Sequence, residues 1–236
     1  MLPRALIGDV KPENWLGFID AIYAIILTLL LIELPSQILD LIKEYKDHPS
    51  LHEILLTGFL ASIFGYLAMF IVIYDIWAHH RVVVVEAILN RVNLSLGILI
   101  LFLSSIVPPL YHVISVLKHE SLTKEISLSG MLSTMYFDAR LAMYLIGFVI
   151  YGCIALIAAK DLRFFRRLGG VDESRMVSLK RLRSSGIAMM LVIFIVSLLS
   201  FSGIITPPIP LVLIALCTHL PIDSLMLRTK RLILGG

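Results

Sequence analysis

The sequence predicts an all-α membrane protein with six transmembrane helices in a single domain over residues 1–236. Three observations predict it. The chain is 58% hydrophobic with a mean hydropathy of +0.94, an apolar excess that a soluble domain of this length does not carry. Six apolar runs are each long enough to cross or nearly cross a bilayer. The connections between them alternate in basic content, as the two sides of a membrane require.

The first run, Trp15 to Pro35, is mostly Ile and Leu, with Asp20 near its start and Glu33 at its end. At ~1.5 Å per residue, such a helix spans a hydrocarbon core of roughly 30 Å. Gly17, Ala21 and Ala24 gather near its entry, and Pro35 is expected to stop it because proline cannot continue the backbone ladder. A polar loop of mixed charge follows, Ser36 to Glu53, with part of it open to helix. The second span covers about 54–77 and ends in the cluster Asp75-Ile76-Trp77-Ala78-His79-His80-Arg81. The third covers about 94–107, where Pro108 and Pro109 are expected to break it. Residues 111–138 read as a mixed outer loop. The fourth span, about 140–159, carries Gly147 and Gly152, which permit close helix approach. Residues 160–183 are the most basic part of the chain; they read first as a topology signal and second as an anionic-lipid patch. The fifth span is about 185–205, a proline-rich turn spans 206–210, and the sixth span is about 211–227.

With six spans, the N-terminus, the second and fourth connections and the C-terminus share one side. That side holds 15 of the 20 Lys and Arg residues, so both termini are expected in the cytosol. An odd number of spans would split the basic connections. The first apolar run is too long for a cleavable signal and is expected to act as its own insertion signal.

Enzyme chemistry finds no support. GxSxG, HExxH and phosphate-cradling glycine loops are absent, and the histidines do not form the repeated clusters that a membrane di-iron site needs. Only His48 and His52 have ligand spacing, and no cofactor or bound metal is expected. Cys153 and Cys217 lie in apolar runs and read as buried thiols. The carbonyl filter TVGYG of potassium channels is missing, since Phe64-Gly65-Tyr66 lacks the preceding Thr-Val. Nothing points to a nucleic-acid partner.

Polar groups inside spans are the remaining clues, because each is costly at depth unless paired. Asp20 and the Trp77–Arg81 end of the second span lie at the same depth in antiparallel neighbours, so a hydrogen-bonded or ionic contact is expected. Asp20 and Ile25 are separated by about 140° around the helix, so Asp20 points back into the subunit when Ile25 points away. Ile25, Leu29 and Ile32 form one apolar stripe with Thr28 at its edge. In an arbitrary membrane helix such a stripe faces lipid or core.

The chain resembles the transmembrane protein 175 family, the lysosomal potassium channel and its prokaryotic relatives. The resemblance rests on Phe18-Ile19-Asp20, Ala24-Ile25 and Thr28-Leu29-Leu30 in the first span. It continues through Trp77, His79-His80-Arg81 and Asn90-Arg91-Val92-Asn93-Leu94 to Ser104 and Pro108. It covers the first three spans; the last three agree in number and length alone. Ile19 stands where the family motif has serine, and Asn14 falls near the place of an expected arginine.

The resemblance implies a homotetramer with six spans per subunit and the first helix of each lining a central pore. Ile25 would form the main constriction, Leu29 and Ile32 further collars, and Thr28 a hydroxyl ring. Phe18, Asp20, Trp77, His79, His80 and Arg81 would set the pose of that helix. The expected function is a potassium-permeable cation channel of a prokaryotic cell membrane, with potassium the permeant ion and membrane lipids its surroundings. A proton-coupled secondary transporter and a non-conducting scaffold are the alternatives.

Overall fold

In lipid, every backbone N–H and C=O must find a partner within the protein, so a spanning segment stays helical for as long as it can. The computed structural model, which describes residues 12–47, 52–88, 90–123, 130–168, 172–205 and 209–218, follows that rule. Its six helices are α1 (Pro12–Asp47), α2 (His52–Glu86), α3 (Arg91–Thr123), α4 (Gly130–Leu168), α5 (Glu173–Phe201) and α6 (Ile209–Thr218). There is no strand among the described residues. Five helices are long and apolar enough to cross a membrane, over Glu13–Ser36, Phe59–Glu86, Arg91–Leu117, Thr134–Leu168 and Glu173–Phe201. Most of the expected sixth span lies outside the described residues; α6 is its first part.

The prolines do not end the helices as expected. Pro35 lies inside α1, which continues to Asp47, and Pro108 and Pro109 lie inside α3, which continues to Thr123. A proline forfeits one donor and the acceptor four residues back, whereas leaving the helix would orphan several groups at once. The smaller loss wins. The expected loops at 36–53 and 111–138 are therefore largely helical, α1 being about 54 Å long against a core of roughly 30 Å. The basic 160–183 stretch likewise consists mainly of the end of α4 and the start of α5. Of the proline-rich turn, residues 206–208 lie outside the described residues, while Pro210 sits in the first turn of α6, where its missing N–H costs nothing.

α4 and α5 form an antiparallel pair whose spacing is set by small residues. A Cβ on Gly186 would come 3.0 Å from both the Ala155 Cβ and the Tyr151 carbonyl oxygen, so any side chain there would press directly on the backbone of α4. Gly147 and Gly152 also face α5, against Ile193 and Met190, with more room. One end of the pair is locked by Arg140, which donates to the Ser200 carbonyl and hydroxyl. Its guanidinium lies 5.2 Å from the rings of both Tyr136 and Phe201, which shelter the charge from lipid. At the other end Asp172 caps α5, and the Ser174 hydroxyl and N–H hold its carboxyl below the ordinary value. Gly186→Leu is expected to force α4 and α5 apart at a cost of about 1–3 kcal/mol or more. The check is the thermal midpoint of the purified protein; an unchanged midpoint would contradict this packing.

α1 lies at the edge of the bundle, against α2 and α3. Ile19, Tyr23, Ile26 and Leu30 recur every three or four residues, and all are buried. Its opposite side is left uncovered by the other described residues of the subunit, and its span is the least buried of the five.

Candidate pore helix and its anchors

Between helices in lipid, apolar burial gives little net drive, because acyl chains are as apolar as leucine. Position is then set by packing and by the few polar groups that must pair. Three polar sets fasten α1 and α2 to the rest of the chain.

The first joins α1 to α2. The Trp77 Nε1–H donates to Asp20 Oδ1 at 2.7 Å, and the Arg81 guanidinium approaches Asp20 Oδ2 at 3.9 Å while lying 5.5 Å over the Trp77 ring. Asp20 and Arg81 are both partly exposed, so the ion pair adds little beyond the hydrogen bond.

The second is buried among α1, α2 and α3. The Tyr23 hydroxyl lies 3.2 Å from Ser104 Oγ and 3.4 Å from His80 Nδ1. Ser104 in turn donates to the Ile100 carbonyl at 2.7 Å. His80 is fully buried, and its Nε2 faces the space a Cβ of Gly97 would fill, 3.3 Å away.

The third joins α2 to α4 and α5. His79 Nδ1 is 3.2 Å from Asp75 Oδ2 and 2.9 Å from the Asp75 carbonyl oxygen, and its Nε2 is 2.7 Å from Ser185 Oγ. The Tyr151 hydroxyl donates to Asp75 Oδ2 at 2.5 Å. Both Asp75 and Tyr151 are buried.

The connection from α2 to α3 is held in the same manner. Asn90 caps α3 by accepting from the Val92 and Asn93 N–H groups. Asp161 Oδ2 accepts from the Ile88 N–H at 2.6 Å and from Asn93 Nδ2 at 2.9 Å. Lys160 donates to the Asn90 and Asn93 side-chain oxygens, and Arg175 to the Glu86 and Ala87 carbonyls.

The residues singled out from the sequence thus fall into several places. Asp20, Trp77 and Arg81 come together. His79 and His80 part company, because successive residues step by about 100° around a helix: one turns to α5 and the other to α1. Phe18 joins none of these sets; it is half exposed and stacks on Trp15 with ring centroids 5.3 Å apart. Ile25, Leu29 and Ile32 are 60%, 49% and 64% exposed on the uncovered side of α1. Thr28 is exposed beside them, and its hydroxyl donates to the Ala24 carbonyl at 2.7 Å. His48 lies outside the described residues, and among those described no three His, Cys, Asp or Glu side chains converge as metal ligands.

Tyr23, Tyr151 and Ser185 escaped the sequence reading, and Asp75 and Ser104, though named in it, were given no partner. The one local signal was Asp75 four residues before His79, a spacing that puts both on one face of a helix.

Residues 16–108, from α1 through the first half of α3, match the family model described as endosomal/lysosomal potassium channel TMEM175. Comparison with curated proteins and with solved structures gave no match.

Proposed function

We propose, from the match of residues 16–108 to the TMEM175 family of ion channels, a cation channel of four copies with α1 innermost. The likeness to a channel family and the five long apolar helices support an integral membrane protein with potassium as its permeant ion and no enzymatic activity. The observation that carries the finer reading is the two-sidedness of α1. Asp20 and Tyr23 fasten one side to α2 and α3, while Ile25, Leu29 and Ile32 stand uncovered on the other.

Ile25 is the proposed gate. A narrow collar of isoleucine excludes water, so an ion must shed hydration to cross, and splaying of α1 rewets the passage. Leu29 and Ile32 form collars further along. Thr28 turns its proton onto Ala24, so its oxygen lone pairs remain for the pore. A ring of such acceptors favours cations over anions without a charged residue, and we expect moderate potassium selectivity. A sixth span and cytosolic termini, supported by the charge bias of the connections, complete the reading, with a prokaryotic cell membrane as the proposed location.

The buried Asp75–His79–Ser185 chain favours a second reading, a proton-coupled transporter. Transporters build their sites from helices unwound near mid-membrane, and the described spans are continuous through their prolines. Planar-bilayer recording of purified protein in asymmetric potassium and sodium separates the two. Unitary currents with a potassium-favouring reversal potential are expected; flux without unitary currents would overturn the channel reading.

Asp20→Ala removes the Trp77 partner, a loss of about 1 kcal/mol at a partly exposed site. It is expected to lower tetramer yield on size-exclusion chromatography while leaving the reversal potential unchanged. Normal yield with altered ion preference would contradict an anchoring role.

A further inference from the structure

Residues 160–183, at the α4–α5 hairpin, hold eight basic and three acidic residues. Two of the basic side chains are committed inward: Lys160 bonds Asn90 and Asn93, and Arg175 bonds the Glu86 and Ala87 carbonyls while lying 4.7 Å over the Phe165 ring. Two of the acids are committed as well, Asp161 to Ile88 and Asn93, and Asp172 to Ser174. Arg163, Arg166 and Arg167 stand apart from this. All three are exposed, and no ion pair joins them to a described acid. On an α-helix they share an arc of about 100°. Phe164 and Leu168, interleaved with them, are 48% and 61% exposed, and Lys180 and Val177 are exposed on the opposing first turns of α5.

We propose that the end of α4 binds the headgroup of an anionic phospholipid through Arg163, Arg166 and Arg167, with Phe164 and Leu168 against its acyl chains. Unneutralised guanidinium groups beside exposed apolar side chains, at the end of a spanning helix, match a ligand that is anionic at one end and apolar at the other. Guanidinium forks suit phosphate, which they can bind with two hydrogen bonds at once. A soluble anion would leave Phe164 and Leu168 without a partner. The inference needs only that α4 and α5 cross the bilayer, and is independent of any pore.

The test exposes purified full-length protein to mixed micelles of equal phosphatidylglycerol and phosphatidylcholine and measures the ratio of retained lipids by mass spectrometry. Each basic residue near an anionic surface is worth about a fivefold preference. Wild type should therefore retain phosphatidylglycerol preferentially, and the R163Q/R166Q/R167Q variant should lose at least tenfold of that preference. Lys43→Gln, at the far end of α1, should leave it unchanged. R163K/R166K/R167K, which keeps the charge, should retain most of it. Should the glutamine variant fail to fold, R166Q alone should lower the preference several-fold. An unchanged ratio in the folded glutamine variants, an absence of preference in wild type, or displacement of the lipid by inorganic phosphate at equal concentration would each overturn the proposal.

Discussion

Ile25→Asn should raise potassium leak through reconstituted vesicles by tenfold or more. Ile25 is 60% exposed on the side of α1 that no helix among the described residues covers. A collar of four such side chains presents hydrocarbon to water, and the barrier to an ion is the cost of crossing a dry gap. Asparagine adds donors and acceptors without a charge, so the gap wets while net charge stays constant. Lowering the barrier by only ~1.4 kcal/mol multiplies flux tenfold. Potassium-driven dye quenching in vesicles provides the measurement, with Leu30→Asn as an unsuitable comparator because Leu30 is fully buried and would report misfolding instead. Leak equal to wild type would remove Ile25 from the gate.

Asp75→Leu should cost about 2–4 kcal/mol of stability, because it strands the buried Tyr151 hydroxyl and strips His79 of its carboxylate partner at once. Its carboxylate accepts from the Tyr151 hydroxyl and contacts His79, and Tyr151 is fully buried. Leucine would leave that hydroxyl without an acceptor in an interior where no water replaces it. Tyr151→Phe removes the donor and leaves Asp75 with His79, so it should cost less, about 1–2 kcal/mol. The order of thermal midpoints, wild type above Tyr151→Phe above Asp75→Leu, checks the assignment. Equal midpoints for all three would show that the set carries no structural weight.

These two sites differ in how far the sequence discloses them. Stripe and phase on α1 follow from residue spacing, so the separation of Asp20 from Ile25 is legible before any coordinates. The contact between Asp20 and Trp77 is legible too, since antiparallel neighbours bring one helix's start to the next one's end. The set around Asp75 is not. His79 and Ser185 are far apart in sequence, and a lone serine in an apolar run names no partner. Tyr23 is hidden for the same reason, a hydroxyl on what reads as a core ring until Ser104 and His80 are beside it.

The helix ends were misread on one physical point. Proline was weighed as in water, where a broken backbone finds solvent, and the chain instead carries Pro35, Pro108 and Pro109 inside its helices. Gly186, the one glycine of α5, was passed over because it lacks a second glycine nearby of the kind that marks Gly147 and Gly152. Here Tyr151 and Ala155 of α4 define the requirement.

Four α1 helices about one axis with Ile25 inward is the claim on which conduction, gating and cation preference all depend. Cysteine placed at Ile25, with Cys153 and Cys217 changed to serine, tests it by disulfide formation between subunits in native membranes. Oxidation should yield covalent dimers from the Ile25 position and none from a cysteine at Leu141, an exposed site on α4. Monomer throughout at the Ile25 position, with dimers appearing from Leu141, would put a different helix at the centre and contradict the account.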